Sequence, residues 1–187
     1  MMKIRTIKMG ILAAVCGLMT LSAQEMPEMP KPLKEHEWLK KFVGEWESTS
    51  EMLMPGQKEV IKGTGTESAE MLGGFWVVAN GSGEMMGATM HYQMTVGYDP
   101  QKKKYLGTMI DSMMGKMWQY EGSVNEAGTT LTLETRGPCP MRGGVMTDFK
   151  DIVEFKSDNL RVFTSVYKDE KGEWITAFKG EAKKQKP

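Results

Sequence analysis

The sequence predicts an all-β protein, a single antiparallel up-and-down barrel of about ten strands preceded by one short N-terminal helix. Three observations predict it. From residue 45 onward apolar residues recur with a period of two, not 3.6. Turn chemistry interrupts these runs at short, fairly regular intervals. The connections are brief enough to pair each strand with the next, and a meander that long either keeps two unpaired edges or closes on itself. Closure removes the free edge donors and acceptors that invite aggregation.

Residues 1–23 read as a signal peptide, so the protein is expected to be exported to a periplasm or the exterior. Lys3, Arg5 and Lys8 make a basic start, Gly10 to Leu21 is apolar, and Ser22-Ala23-Gln24 offers cleavage after Ala23. About a dozen apolar residues are too few to cross a bilayer as a helix, so no transmembrane span is expected in the mature chain. Lipoprotein anchoring through Cys16 is the weaker reading, because Val15 directly before it fits poorly. Pro27, Pro30 and Pro32 make 24–32 an extended leader, since proline at that spacing forbids a helix. The barrel domain is assigned to 33–187.

Leu33, Trp38, Leu39, Phe42 and Val43 fall at helical spacing with charges between them, predicting a short amphipathic helix that ends at Gly44. His36 lies among those charges and is expected to face solvent. The strands expected after it are 45–54, 58–71, 75–85, 89–98, 104–113, 116–124, 129–136, 146–156, 160–168 and 173–183. Each break has a mechanism: glycine permits positive φ, proline fixes φ, and Asp or Asn tolerates the left-handed region. Alternation is clearest where Met90, Tyr92, Met94, Val96 and Tyr98 share one face and His91, Gln93, Thr95 and Gly97 the other. The same period groups Phe149, Asp151, Val153 and Phe155, and it groups Trp174 with Thr176 and Phe178.

Composition bounds the function. The chain has 187 residues, 40% hydrophobic and 26% charged, enough for one ordinary domain with its own core. Three of its 24 basic residues precede Ala23, which leaves 21 against 24 acidic residues in the mature chain. A mildly acidic protein whose only basic clusters are Lys102-Lys103-Lys104 and the tail Lys183, Lys184, Lys186 lacks the cationic surface that nucleic acid requires. Cys139 is then the only cysteine, so the fold is held by its core and not by disulfides. It sits in Pro138-Cys139-Pro140 and is expected to be a loop thiol.

Gly44-Glu45-Trp46 follows the helix and opens the first strand. That order resembles the calycin superfamily of lipocalins and their relatives. The resemblance implies that Gly44 and Trp46 are structural, with the indole at the closed end against a basic residue of the last strand, here Lys179 or Lys183. A closer resemblance rests on Lys34-Glu35-His36-Glu37-Trp38-Leu39, Val43-Gly44-Glu45-Trp46, Gly65-Thr66-Glu67-Ser68, Leu72-Gly73-Gly74-Phe75-Trp76-Val77-Val78, Gly97-Tyr98-Asp99-Pro100-Gln101-Lys102-Lys103 and Ser112-Met113-Met114. These segments are similar to the bacterial family named as domain of unknown function 1579. That likeness implies a calycin-like barrel and brings no activity, catalytic residue or cofactor.

A barrel of this size is nearly filled by side chains or holds one small molecule. Trp76, Met90, Tyr92, Met94, Met109, Trp174 and Phe178 are the candidate walls for a small hydrophobic or amphipathic ligand, in an exported, monomeric protein. Methionine suits such a wall because its thioether stem repacks at little cost. A solid core in a structural or interaction module is the alternative. A second alternative is Cu(I), since 15 of the 19 methionines follow Ala23 and soft thioethers with one imidazole select that ion. Its ligand set would be Met90, His91, Met94, Met113 and Met117. Haem would need His36 or His91, both expected on polar surfaces, and no cofactor is predicted.

No catalytic residue is nominated. Gly81-Ser82-Gly83 lacks the Gly-x-Ser-x-Gly elbow and its helix, and Gly63-Thr64-Gly65 lacks the third glycine and helix of a dinucleotide site. Asp111, Glu121, Glu134, Asp148, Asp151 and Glu154 are read as solvated strand faces.

Overall fold

The computed structural model describes residues 28–53, 59–85 and 87–186, with nothing described for the side chains of Leu53 and Met85. The signal peptide, Cys16 and residues 24–27 of the leader lie outside the described residues. Pro32–Pro187 forms one compact unit.

The helix α1 (Lys34–Trp38) continues into a 3-10 turn (Leu39–Phe42), so the expected single helix is two tighter pieces. Ten strands follow: β1 (Gly44–Leu53), β2 (Val60–Leu72), β3 (Trp76–Met85), β4 (Ala88–Asp99), β5 (Lys104–Asp111), β6 (Trp118–Val124), β7 (Thr130–Cys139), β8 (Val145–Ser157), β9 (Leu160–Lys168) and β10 (Trp174–Lys184). Each pairs antiparallel with its neighbours in sequence, and β1 pairs with β10 from Trp46↔Lys184 to Met52↔Phe178, which closes the barrel. No strand is left as an edge.

Register divides every strand into an inward and an outward set. The pairings Ala79↔Met94↔Met109↔Trp118 run around one inward row, and Leu133↔Asp151↔Ser165 continue inward on the far side. Gly44 adopts φ +127°, and a Cβ there would meet the Lys184 side chain at 2.5 Å, so only glycine opens β1 in this way.

One end of the barrel is plugged by α1 and the turn after it. Trp38 donates its indole N–H to Gly128 O at 2.8 Å, and Tyr105 donates its hydroxyl to Glu35 O at 3.1 Å. Phe42, Trp38, Trp46 and Phe155 meet edge-to-face beneath it, with Phe42 and Phe155 ring centroids 5.0 Å apart. His36 is buried, contrary to the expectation of a solvent-facing residue. Its Nδ1 accepts the Leu33 N–H at 2.9 Å, its Nε2 lies 3.1 Å from Tyr98 O, and its ring packs on Phe75 and Tyr98. Helical spacing placed it among charges, but α1 lies against the barrel end and this face packs on Phe75 and Tyr98.

Cys139 is also fully buried, as the last residue of β7 paired with Val145. The strand runs through Pro138 because the ladder tolerates a missing donor close to its end, so the residue is a core thiol and not a loop thiol.

Candidate functional site

The two halves of the barrel interior differ. Towards the α1 end the inward side chains are sealed: Trp46, Val77 and Val96 are each 2% exposed and Leu131 is 0% exposed. Towards the opposite end Met90, Tyr92, Met94, Met109, Phe163 and Phe178 face inward yet stay only half-buried, whereas Trp118, Cys139, Thr147 and Tyr167 on β6 to β9 are buried there. A filled core would bury such residues fully. Part of the wall there carries almost no side chain, since Ser48 pairs with Gly65, Gly65 with Gly83, and Ser50 with both Gly63 and Gly180. A Cβ on Gly83 would meet nothing closer than Thr64 O at 3.7 Å. This accessible inward surface, a cup at the end away from α1, lies on β1 to β5, β9 and β10, while Trp118, Cys139 and Thr147 fill the side of that end formed by β6 to β8.

The floor of the cup is polar. Arg161 on β9 reaches across to Glu67 on β2, Nη2 to Oε1 2.6 Å, with the two side chains only 8% and 14% exposed. Tyr92 donates its hydroxyl to the other Glu67 oxygen at 2.7 Å. The guanidinium carbon of Arg161 lies 4.3 Å from the Trp46 ring centroid, and the Trp46 indole N–H donates to Phe42 O at 2.7 Å. This ties the floor to the plug. Burial, then the adjacent Glu67 carboxylate, holds the Tyr92 phenol far above its ordinary range. Burial chiefly, with Glu35 and Tyr98 adding, pushes the Tyr105 phenol up to about 12.

A second polar group stands across β7. Tyr120 donates to Asp151 Oδ2 at 2.9 Å, and Ser165 is the cross-strand partner of Asp151. Burial pushes the Asp151 carboxyl up from the usual range, although hydrogen bonds from Ser165 and Tyr120 favour its charged form. Asp111, also inward, accepts the N–H groups of Met113 and Met114 at 2.8 and 2.9 Å and so holds the β5–β6 loop at the mouth. The expectation of solvated faces therefore fails for Asp111 and Asp151. For Asp151 the signal was present, in its shared period with Phe149, Val153 and Phe155.

Of the seven expected wall residues, Met90, Tyr92, Met94, Met109 and Phe178 face inward. Trp76 and Trp174 do not. Trp76 lies outside over Gly97, where a Cβ would come within 2.3 Å of the indole. Trp174 lies outside beneath Lys150 and Lys168, whose Nζ atoms stand 4.8 and 5.6 Å from its centroid. A β-bulge between Thr176 and Phe178 shifts the register, so residues that share a period end on opposite faces.

Gly44 and Trp46 occupy the closed end, but the basic partners of Trp46 are Arg161 of β9 and Lys184, Nζ 5.5 Å from its ring. Lys179 and Lys183 point outward and are exposed, so neither takes that part.

The methionine and histidine set does not converge. His91 is exposed on the outer face while Met90 and Met94 point inward, and Met113 and Met117 are 62% and 53% exposed on the β5–β6 loop. Neither histidine faces the cup. A shallow outer groove of about 450 Å³ lies on β10, β1 and β2 between Thr49, Thr64, Glu181 and Lys183. It is lined by hydroxyl and charged side chains on the outer face of the barrel and is separate from the interior.

A closed ten-stranded antiparallel barrel, plugged by a short helix and open at the far end, defines a calycin-like protein. The chain belongs to the family described as protein of unknown function DUF1579, whose model matches residues 31–184. Comparison with curated proteins gives no match. Among solved structures the fold is similar to Rv2717c from M. tuberculosis, with TM-score 0.59 and 8% identity over 83% of this chain and 100% of that one. It is also similar to the S-type phycobiliprotein lyase CPES from Guillardia theta, with TM-score 0.55 and 14% identity over 81% of this chain and 93% of that one. At these identities the likeness concerns the fold alone.

Proposed function

We propose that the protein is exported and binds one small hydrophobic or amphipathic molecule inside the barrel, entering at the mouth away from α1. The observation that carries this reading is the contrast between the two halves: inward methionines and phenylalanines stay accessible above a floor that is itself hydrogen-bonded and sealed. Unbranched methionines adapt to an irregular apolar guest, while the floor's fixed polar groups orient it. The basic, apolar and small-residue order of residues 1–23 supports export.

The test is native mass spectrometry of protein purified from its source, followed by solvent extraction. A bound molecule at one per chain is expected. Ser50→Trp, which places an indole against Gly63 and Gly180, is expected to expel it. Repeated absence of any bound molecule, together with an unchanged spectrum for the Ser50→Trp variant, would refute the reading.

A further inference from the structure

The floor of the cup is unequally neutralised. Glu67 is matched by Arg161 at 2.6 Å and by the Tyr92 hydroxyl. Asp151 has no such match: among the described residues no Lys or Arg nitrogen lies within ion-pair distance of it, and its partners are the neutral hydroxyls of Tyr120 and Ser165. The other inward cations are engaged elsewhere. Lys184 lies over Trp46 at the plugged end, and Lys116, at the mouth, lies over the Trp118 ring with Nζ 5.4 Å from its centroid. Asp111 adds further negative charge near the mouth, one of its oxygens being taken by the loop.

The apolar surroundings of this carboxylate are accessible. Phe149 precedes Asp151 on the inward face of β8, Phe163 lies one step along β9 from Ser165, and Phe178 stands against Phe163 with centroids 5.6 Å apart. All three aromatic residues are half-buried. A half-buried carboxylate without a counter-charge is costly, and the cost is relieved by an opposite charge brought in with its own hydrogen bonds. Aromatic faces beside it also favour a cation through their quadrupole.

Resting on the binding reading above, we propose that the barrel selects an aromatic or apolar molecule bearing a protonated amine, with the ammonium group on Asp151 and the apolar body against Phe149, Phe163 and Phe178. A neutral or anionic head of equal size would leave Asp151 unmatched or repelled. Burial already presses that carboxyl towards its neutral form, the strain an incoming ammonium relieves.

Calorimetric titration of the purified protein with 4-phenylbutylamine, 4-phenylbutanol and 4-phenylbutyrate at pH 7 tests this. The three share one body and differ in the head. The amine is expected to bind at least tenfold tighter than the alcohol, with the acid weakest. Asp151→Asn keeps an acceptor for Tyr120 and is expected to erase the difference between amine and alcohol. The comparison of ligands on the unaltered chain stands even should that variant fail to fold. Equal affinity for amine and alcohol, tighter binding of the acid, or an amine preference that survives Asp151→Asn would overturn the amine assignment while the cup keeps its role. Binding of none of the three, with no heat from any head group, would overturn the amine assignment together with the binding reading.

Discussion

Arg161→Met tests the floor of the cup, because it keeps an unbranched apolar stem and removes the guanidinium. That group sits 7% exposed between the Glu67 carboxylate at 2.6 Å and the Trp46 ring at 4.3 Å. Its loss leaves Glu67 buried with only the Tyr92 hydroxyl, and removing one partner of a buried ion pair destabilises by about 3–5 kcal/mol. The lost cation–π contact adds about 0.5–2 kcal/mol. Against the roughly 5–15 kcal/mol that holds an ordinary domain folded, this is a large fraction.

Urea unfolding followed by tryptophan fluorescence measures the change directly, since Trp46 lies at the site. The double variant Arg161→Met with Glu67→Gln supplies the control: with the stranded charge gone, it should recover about 2 kcal/mol or more of the loss. A single-variant loss below about 1 kcal/mol, or a double variant no more stable than Arg161→Met, would refute the view of the floor as a desolvated ion pair that joins β9 to β2.

Gly122→Ala should be the most damaging of the glycine changes, because its Cβ would lie 1.9 Å from Thr132 O, and a backbone atom cannot swing aside. A loss of about 3 kcal/mol is expected by denaturation, whereas Gly83→Ala, with Thr64 O at 3.7 Å, should fold normally and narrow the cup. Because the carboxyl of Asp151 titrates above its usual 3.8 in the fold, the folded state holds a proton that the unfolded chain has released, so stability falls as pH rises from 3.8 through the folded value. Asp151→Asn should therefore be more stable than the parent at pH 7, with the gain gone near pH 3, and an advantage that persists unchanged at pH 3 would contradict this. The raised phenols of Tyr92, Tyr105, Tyr120 and Tyr167 give a stability term fully present below pH 10.0 and lost as pH climbs towards the folded values. Ultraviolet titration at pH 11 should find Tyr92, Tyr105 and Tyr120 still largely protonated, their ionisation arriving together with unfolding. Stepwise ionisation of Tyr92, Tyr105 and Tyr120 near pH 10 would count against their burial.

The strand pattern was legible because a half-buried strand must alternate. Met90, Tyr92, Met94, Val96 and Tyr98 face inward as their period requires, and every expected strand is present within a few residues. What escaped had physical reasons outside that period. The bulge at Thr176 reverses Trp174 relative to Phe178. Trp76 faces outward because Gly97 offers a flat seat on the outer surface. His36 and Cys139 are buried by the packing of the barrel's ends, where neither alternation nor helical spacing applies. The Glu67–Arg161 pair joins residues 94 positions apart across the lumen, a contact that no local window contains.

The polar floor also accounts for the few charged residues, Glu67, Arg161 and Asp151 among them, that face into a closed barrel. An apolar floor of the same volume would be at least as stable, since buried ion pairs seldom outperform well-packed hydrophobic side chains. Asp151 makes the point more sharply, because burial raises its carboxyl pKa and thereby lowers stability at neutral pH. Groups that cost folding energy and sit beneath half-buried aromatic walls are where a binding site is expected to hold its specificity. The same residue then links two measurements: Asp151→Asn should raise the stability of the empty protein and lower its affinity for an ammonium-bearing guest. A variant that gained in both would leave the half-buried carboxylate without a role.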